Sequence, residues 1–315
     1  MTAQLESYTL ECTDGPVGKR DKTSSTLPHN LLTEEEITRY HKTGYLVKNG
    51  LFTSEEMDVF FSTIKNDVIV TGRSHTRLDS EGFYSKLSLW NHPGINLYGA
   101  VARSARIIDN VETLLSGYSH GLSAEREEAY HYHSKVMIKE PKVGGAWEWH
   151  QDYGYWYNNG CLFPKMISVM VAIDTHTEEN GCLQVLEGSH NMGRISHTLT
   201  GEQAGADMNR VEQSKSRFKK YPILCNPGDT LFLHCNTLHA SAQNKSNYPR
   251  WSLICCYNTK SNNPYIPHHH PCYSPLDRWD DSAVLKFKGV GITEGDGTHF
   301  MDHEKDLSAK KSGLQ

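Results

Sequence analysis

His150 and Asp152, separated only by Gln151 and followed much later by His239 and then Arg250, combine a metal-ligand set with an anion-binding cation. Two imidazoles and one carboxylate are the facial ligand set of a non-haem iron(II) centre, which leaves positions open for a chelating cosubstrate and dioxygen. That chemistry is oxidation. In an extended segment the side chains of residues i and i+2 share a face, so His150 and Asp152 can converge on one ion while Gln151 points away. The run 228–239 reads as a turn, an apolar strand and a short connection that returns His239 to the same place. Arg250 opens a further strand-like run over 251–257. Its planar guanidinium suits the far end of a dicarboxylate whose other end chelates the metal. One H-x-D among 18 histidines is weak evidence; the ordered set at strand ends is much stronger.

Short strands must position these residues. Strands are expected over 131–139, 166–174, 183–186, 221–224, 230–234 and 251–258, with turns at Asn158-Asn159-Gly160, Asn180-Gly181 and Pro227-Gly228. Upstream, Thr33 and Thr53 precede acidic first turns, a helix-start signature, and 107–115 reads as another helix. Helices first and many short strands afterwards predict a mainly β protein with flanking helices (α+β), its core a double-stranded β-helix or cupin-like jelly roll. The expected divisions are a flexible N-terminal arm over 1–30, one domain over 31–287 and a C-terminal tail over 288–315.

Composition narrows the function. With 37% hydrophobic and 22% charged residues in 315, the chain reads as globular, and a formal net charge of -5 argues against nucleic acid as a partner. No secretory leader or membrane-spanning run is visible, and the last tripeptide is not the usual peroxisomal address, so the expected location is cytoplasmic without a membrane partner. The oligomeric state is not legible. Cysteines at 12, 161, 182, 225, 235, 255, 256 and 272 contain no C-x-x-C and suggest reduced core thiols.

Other candidates carry less weight. His268-His269-His270 is bracketed by prolines and reads as a loop near the site mouth or in solvent. His234 reads as a core histidine, and the basic run 215–220 as a solvated face of a long connection. Trp147, Trp149, Tyr153, Tyr155, Trp156 and Tyr157 surround H-x-D; part of this group is core, and part must flank the metal. On 131–139, either Tyr132, Ser134 and Val136 or His133, Lys135 and Met137 face the pocket. The candidate substrate pocket comprises His133, Met137, Tyr153 and Tyr155, and Lys135 is a candidate cofactor contact.

The stretch 32–47, Trp149-His150-Gln151-Asp152, Asn180-Gly181-Cys182-Leu183, Glu187-Gly188-Ser189-His190, Pro227-Gly228-Asp229 and His239-Ala240-Ser241 with Arg250 together resemble the phytanoyl-CoA dioxygenase family. These are iron(II)- and 2-oxoglutarate-dependent oxygenases, among them ectoine hydroxylase. The resemblance implies His150, Asp152 and His239 as metal ligands, Arg250 and Ser241 on the distal carboxylate of 2-oxoglutarate, and Trp156 beside the cosubstrate. It implies Fe(II), 2-oxoglutarate and O2 as the chemical complement, and hydroxylation of a small polar or zwitterionic metabolite. Acyl-CoA hydroxylation, cyclisation, desaturation and noncatalytic metal binding are the alternatives.

Overall fold

In the computed structural model, which describes residues 31–116, 126–200 and 203–301, the two threonine-led helices form where expected. α1 (Glu34–Thr43) opens with a reciprocal cap in which Thr33 accepts from the Glu36 N–H and the Glu36 carboxylate accepts from the Thr33 N–H. Gly44 ends it at φ +83°, with no room for a side chain: a Cβ there would lie 2.5 Å from His190 Nδ1. β1 (Tyr45–Lys48) follows, then α2 (Ser54–Ile64), capped through Thr53 and Glu56 in the same way. After α3 (Val68–Gly72), the chain makes a hairpin of β2 (His75–Leu78) and β3 (Tyr84–Trp90), followed by α4 (Leu97–Ala102) and α5 (Ala105–Ser116). Buried Arg106 of α5 grips Glu56 of α2 through two nitrogens at 2.7 and 2.9 Å.

The remaining strands form two facing antiparallel sheets. β4 (Ala129–Lys139) and β5 (Trp147–His150) precede α6 (Asp152–Trp156), and β6 (Met166–Ala172) and β7 (Leu183–Leu186) follow it. The long connection contains a hairpin of β8 (His197–Thr200) and β9 (Gln203–Ala206), and then α7 (Met208–Lys215). β10 (Lys220–Pro222), β11 (Thr230–His234), β12 (His239–Ser241) and β13 (Arg250–Thr259) complete the sheets, and α8 (Ala283–Lys286) follows. The larger sheet runs β1-β11-β6-β13-β4-β3-β2 and the smaller β10-β7-β12-β5.

Period-two alternation assigns the faces. Ile167, Val169 and Val171 of β6, Phe232 of β11, Leu253 and Cys255 of β13, and Val136 and Ile138 of β4 pack with the helices. Met170, Ala172, Leu231 and Leu233 turn the other way and pack with Val185 and Ile223 of the smaller sheet side. The result is the expected jelly-roll sandwich buttressed by helices. One irregularity bears on the site. Cys256 opposes His133 and Tyr257 opposes His131, which leaves Tyr132 as a bulge residue in β4.

The C-terminal boundary differs from the expectation at 287. Residues 288–301 are bound to the domain: Leu97 donates to the Val290 carbonyl, Ile292 to Asp67, and Met301 to the Leu89 carbonyl, while Ile292 joins the core. Their glycines and charges disguised a segment held mainly through backbone groups. The arm over 1–30 lies outside the described residues.

Candidate active site

Strand pairing brings the histidines together. His150, the last residue of β5, is the cross-strand partner of His239, the first of β12, and their ring centroids are 4.0 Å apart. The expected extended H-x-D segment is only half right. Gln151 is extended at φ -115°, ψ 133°, but Asp152 already opens α6. That turn leaves Asp152 Oδ1 3.8 Å from His150 Nε2 and 4.0 Å from His239 Nε2. One donor atom from each of the three buried residues lies within 4.8 Å of the others.

The surroundings set the protonation that a metal needs. His150 Nδ1 lies 2.7 Å from the Glu148 carbonyl, and His239 Nδ1 lies 2.9 Å from the Thr237 carbonyl. A carbonyl can only accept, so each proton sits on Nδ1 and each Nε2 lone pair is left for an ion. Burial holds both imidazoles below their ordinary pKa, hence neutral. Burial alone would raise Asp152, but Lys135, the two histidines and Ser168 outweigh it and bring it to about 2. Ser168 Oγ donates to Oδ2 at 2.6 Å and the Tyr155 hydroxyl to Oδ1 at 3.4 Å. Two neutral nitrogens and an ionised oxygen fit a ferrous ion.

Gln151 is not a bystander. Its amide nitrogen donates to the carbonyls of Gly193 and Asn236 at 2.8 and 2.7 Å, and its oxygen accepts from the Ile195 N–H at 2.7 Å. Its backbone N–H donates to His197 Nε2 at 2.9 Å. The His197 ring is packed so tightly that a Cβ on Gly154 would lie 1.9 Å from it.

The other end of the site is cationic. Arg250 of β13 and Lys139 of β4 are direct cross-strand partners, both buried, and Arg250 Nε has no hydrogen-bond partner. Lys139 Nζ donates to the carbonyls of Ser241 and Ala242. Burial, then the nearby Arg250 charge, depresses Lys139 strongly; burial also lowers Arg250 to about 10. Ser252, next on this face, has a buried hydroxyl without a partner. Lys139 and Arg250 lie side by side here, and Arg250 Nε and the Ser252 hydroxyl remain able to donate to a carboxylate.

The phytanoyl-CoA dioxygenase (PhyH) family model matches residues 27–252. The chain belongs to the PhyH family. It is an Fe(II)- and 2-oxoglutarate-dependent dioxygenase with a 2-His-1-carboxylate triad. Ectoine dioxygenase of Stutzerimonas stutzeri is 23% identical over 258 residues, 77% of this chain and 82% of that protein. L-proline trans-4-hydroxylase of Streptomyces griseoviridis is 28% identical over 158 residues, 45% of this chain and 59% of that protein. The crystal structure of EctD from S. alaskensis with 2-oxoglutarate and 5-hydroxyectoine superposes with a TM-score of 0.63 at 19% identity, covering 81% of this chain and 90% of that one. The carbocyclase SnoK from nogalamycin biosynthesis gives 0.58 at 15% identity, covering 89% and 100%. At these identities the structural likeness shows the jelly-roll fold.

Within this PhyH chain, the predicted site residues separate. Trp156 is buried, 5.7 Å from the His133 ring and 5.6 Å from Tyr132. Tyr155 stacks on His150 at 5.9 Å and 22°. Tyr153 is spent elsewhere: its hydroxyl donates to the Cys161 carbonyl and its ring packs with Tyr157. Met137 shares the face of Lys135 and Lys139 and lies opposite Ser252. The alternatives left open on β4 resolve toward His133, Lys135 and Met137, with Tyr132 added by the bulge. His270 stacks on His133 at 4.8 Å, so the triple histidine packs against the site wall. His234 is buried with His190 at 5.1 Å, as a core histidine.

Gln151, Ser168, Lys139 and His197 were not singled out from sequence. Ser168 and Lys139 did leave a signal, a polar break in an apolar strand and a lysine within one; His197 left none. Cys161, Cys182, Cys225, Cys235, Cys255 and Cys256 are buried thiols. No helix among the described residues is long and apolar enough to cross a membrane.

Proposed function

We propose that this dioxygenase hydroxylates an unactivated C–H bond of a small polar or zwitterionic metabolite. The observation that carries this is the wall beside the triad, where Lys135, His133, Trp156 and Tyr155 offer charge, hydrogen bonding and aromatic faces in one place. Relatives named for ectoine and L-proline act on compounds of that size and polarity.

His150, Asp152 and His239 would hold a ferrous ion, which with 2-oxoglutarate and O2 would supply the oxidation, with succinate and CO2 as co-products. Arg250 takes the distal carboxylate of the cosubstrate in its planar fork. Ser241 contributes its hydroxyl, and Lys139 adds a second positive charge while tying down the backbone that carries Ser241. Ser168 donates to Asp152 Oδ2, which would leave Oδ1 as the oxygen for a bound ion. Tyr155 holds the His150 ring by stacking, and Trp156 shields the cosubstrate side from water. An acyl-CoA is disfavoured because the basic run 215–220 is modest and no glycine-rich anion loop adjoins it for a coenzyme's phosphates. Succinate formation and product mass, followed with iron and 2-oxoglutarate against free amino compounds and acyl-CoA esters at equal concentration, test this. Turnover of an acyl-CoA alone contradicts it.

A further inference from the structure

The strands that bring the two histidine ligands together grip each other weakly. β5 is the edge strand of the smaller sheet, with β12 as its one neighbour there. The pair shares two register positions, His150 with His239 and Trp147 with Ser241, and the register shifts between them. So short and irregular a ladder leaves the relative depth of the two rings loosely set. Gln203 of β9 helps by taking up two backbone groups of the edge: its side chain accepts from the Glu148 N–H and donates to the Ala146 carbonyl, each at 3.0 Å.

Asp152 adds a second requirement, because the chain must turn at Gln151 to bring its carboxylate to both rings. Gln151 stands at the start of α6, where a polar side chain usually satisfies a first-turn N–H, yet it makes no such bond. The N–H of Tyr153 goes instead to the Cys235 carbonyl at 3.0 Å. The buried Gln151 amide is spent on Gly193, Ile195 and Asn236, and Asn236 lies three residues before His239. The residue between two ligands is thereby tied to the segment that carries the third. His197 secures the main chain of the same residue. Its Nδ1 faces the Ile195 carbonyl at 2.8 Å and must carry the proton, so Nε2 accepts the Gln151 N–H. Glycine at 154 is what leaves room for that ring.

Resting on the triad as the iron site, we infer that Gln151, held in turn by His197, is the positioning residue that sets the spacing of the three ligands. Both act through the ligands. The segment 193–197 then belongs to the metal site although it supplies no ligand to it, and a change there alters the geometry offered to an ion.

The test is a titration of the full chain with Co(II) alone, without oxygen and below the melting temperature of each metal-free protein. Co(II) replaces iron because its visible absorption follows coordination geometry. Gln151→Leu removes the three side-chain bonds at similar volume. His197→Phe keeps a ring against Gly154 and loses the bond to the main chain, whereas His197→Gln places an amide oxygen where Nε2 accepts. Leu253→Ala, on the helix-packed face, controls for loss of stability alone. Gln151→Leu should weaken Co(II) by about 100-fold and His197→Phe by about tenfold, the span expected for groups that orient ligands. Both should give altered spectra at saturating metal, and His197→Gln should recover most of the affinity and the wild-type spectrum. Leu253→Ala should melt earlier and bind Co(II) as wild type does. Wild-type affinity and spectrum in Gln151→Leu and His197→Phe overturn the inference, as does an equal weakening in Leu253→Ala. Should Gln151→Leu not fold, the two His197 variants decide alone. Wild-type protein that binds no Co(II) overturns the triad itself, and the inference with it.

Discussion

Along β4, β6 and β13, one face carries Val136, Ile138, Val169, Val171, Leu253 and Cys255 against the helices. The opposite face of the same strands carries Lys135, Lys139, Ser168, Arg250, Ser252 and Cys256 toward the smaller sheet. The first face removes apolar area from water at about 25 cal/mol per Å2. The second buries two cations and leaves Arg250 Nε and Ser252 Oγ unpaired, each unmet group costing about 1–3 kcal/mol. The helix-packed face thus stabilises strands whose other face is polar and carries the residues around the triad. Substitutions on the two faces should separate stability from activity.

The largest functional effect is expected for His239→Ala. Losing one of three protein donors should abolish iron binding and turnover while leaving the fold intact, since the apolar face is untouched; circular dichroism and metal analysis check this. Wild-type activity at limiting iron would remove His239 from the ligand set. On the opposite face, Leu253→Ala should lower stability by about 2–5 kcal/mol, with kcat/KM per folded molecule little changed. Its neighbour Ser252→Ala should not destabilise in chemical denaturation and should gain stability, because it removes a buried hydroxyl that has no partner. If Ser252→Ala destabilises as much as Leu253→Ala, the contrast between the faces fails.

Arg250→Lys keeps the charge and loses the fork. The apparent constant for 2-oxoglutarate should rise about tenfold, or about 1.4 kcal/mol, with KM for the prime substrate far less affected. An unchanged cosubstrate constant would place the carboxylate elsewhere.

Much of this arrangement was legible before the fold. The capping threonines, strands 183–186 and 230–234, the triad and Arg250 all signal through local pattern or ordered ligand types, and each lies where those patterns place it. What was hidden depends on long-range contact. His197 touches Gln151 only because the β8–β9 hairpin folds back on α6, and nothing local marks it. The bulge at Tyr132 shifts the alternation of β4, so no period-two reading could place Tyr132 and His133 on one face. β2, β3, β5 and β12 were missed because their sequences are too short or too polar to announce a strand, and pairing with neighbours decides them. Tyr153 was assigned to the pocket by proximity to H-x-D, but the start of α6 turns it into the aromatic core.

The smallest expected effect concerns acid stability. His41, His190 and His234 are held below their ordinary pKa by burial, His234 at about 3. Their unfolded forms take up protons first, so stability is full above about 6.5 and declines as pH falls toward about 3. His234→Gln should flatten the dependence of Tm on pH below 6.5. An unaltered slope would mean that other groups govern acid sensitivity.

The most direct test of the central claim is an anaerobic iron(II) titration with and without 2-oxoglutarate, followed by the visible charge-transfer absorption of a metal-chelated 2-oxo acid. One iron and one 2-oxoglutarate per chain are expected. The absorption should vanish in His239→Ala, and in Arg250→Lys it should require roughly tenfold more 2-oxoglutarate. Stoichiometric iron binding without any absorption on adding 2-oxoglutarate, or an identical titration in His239→Ala, would contradict the account.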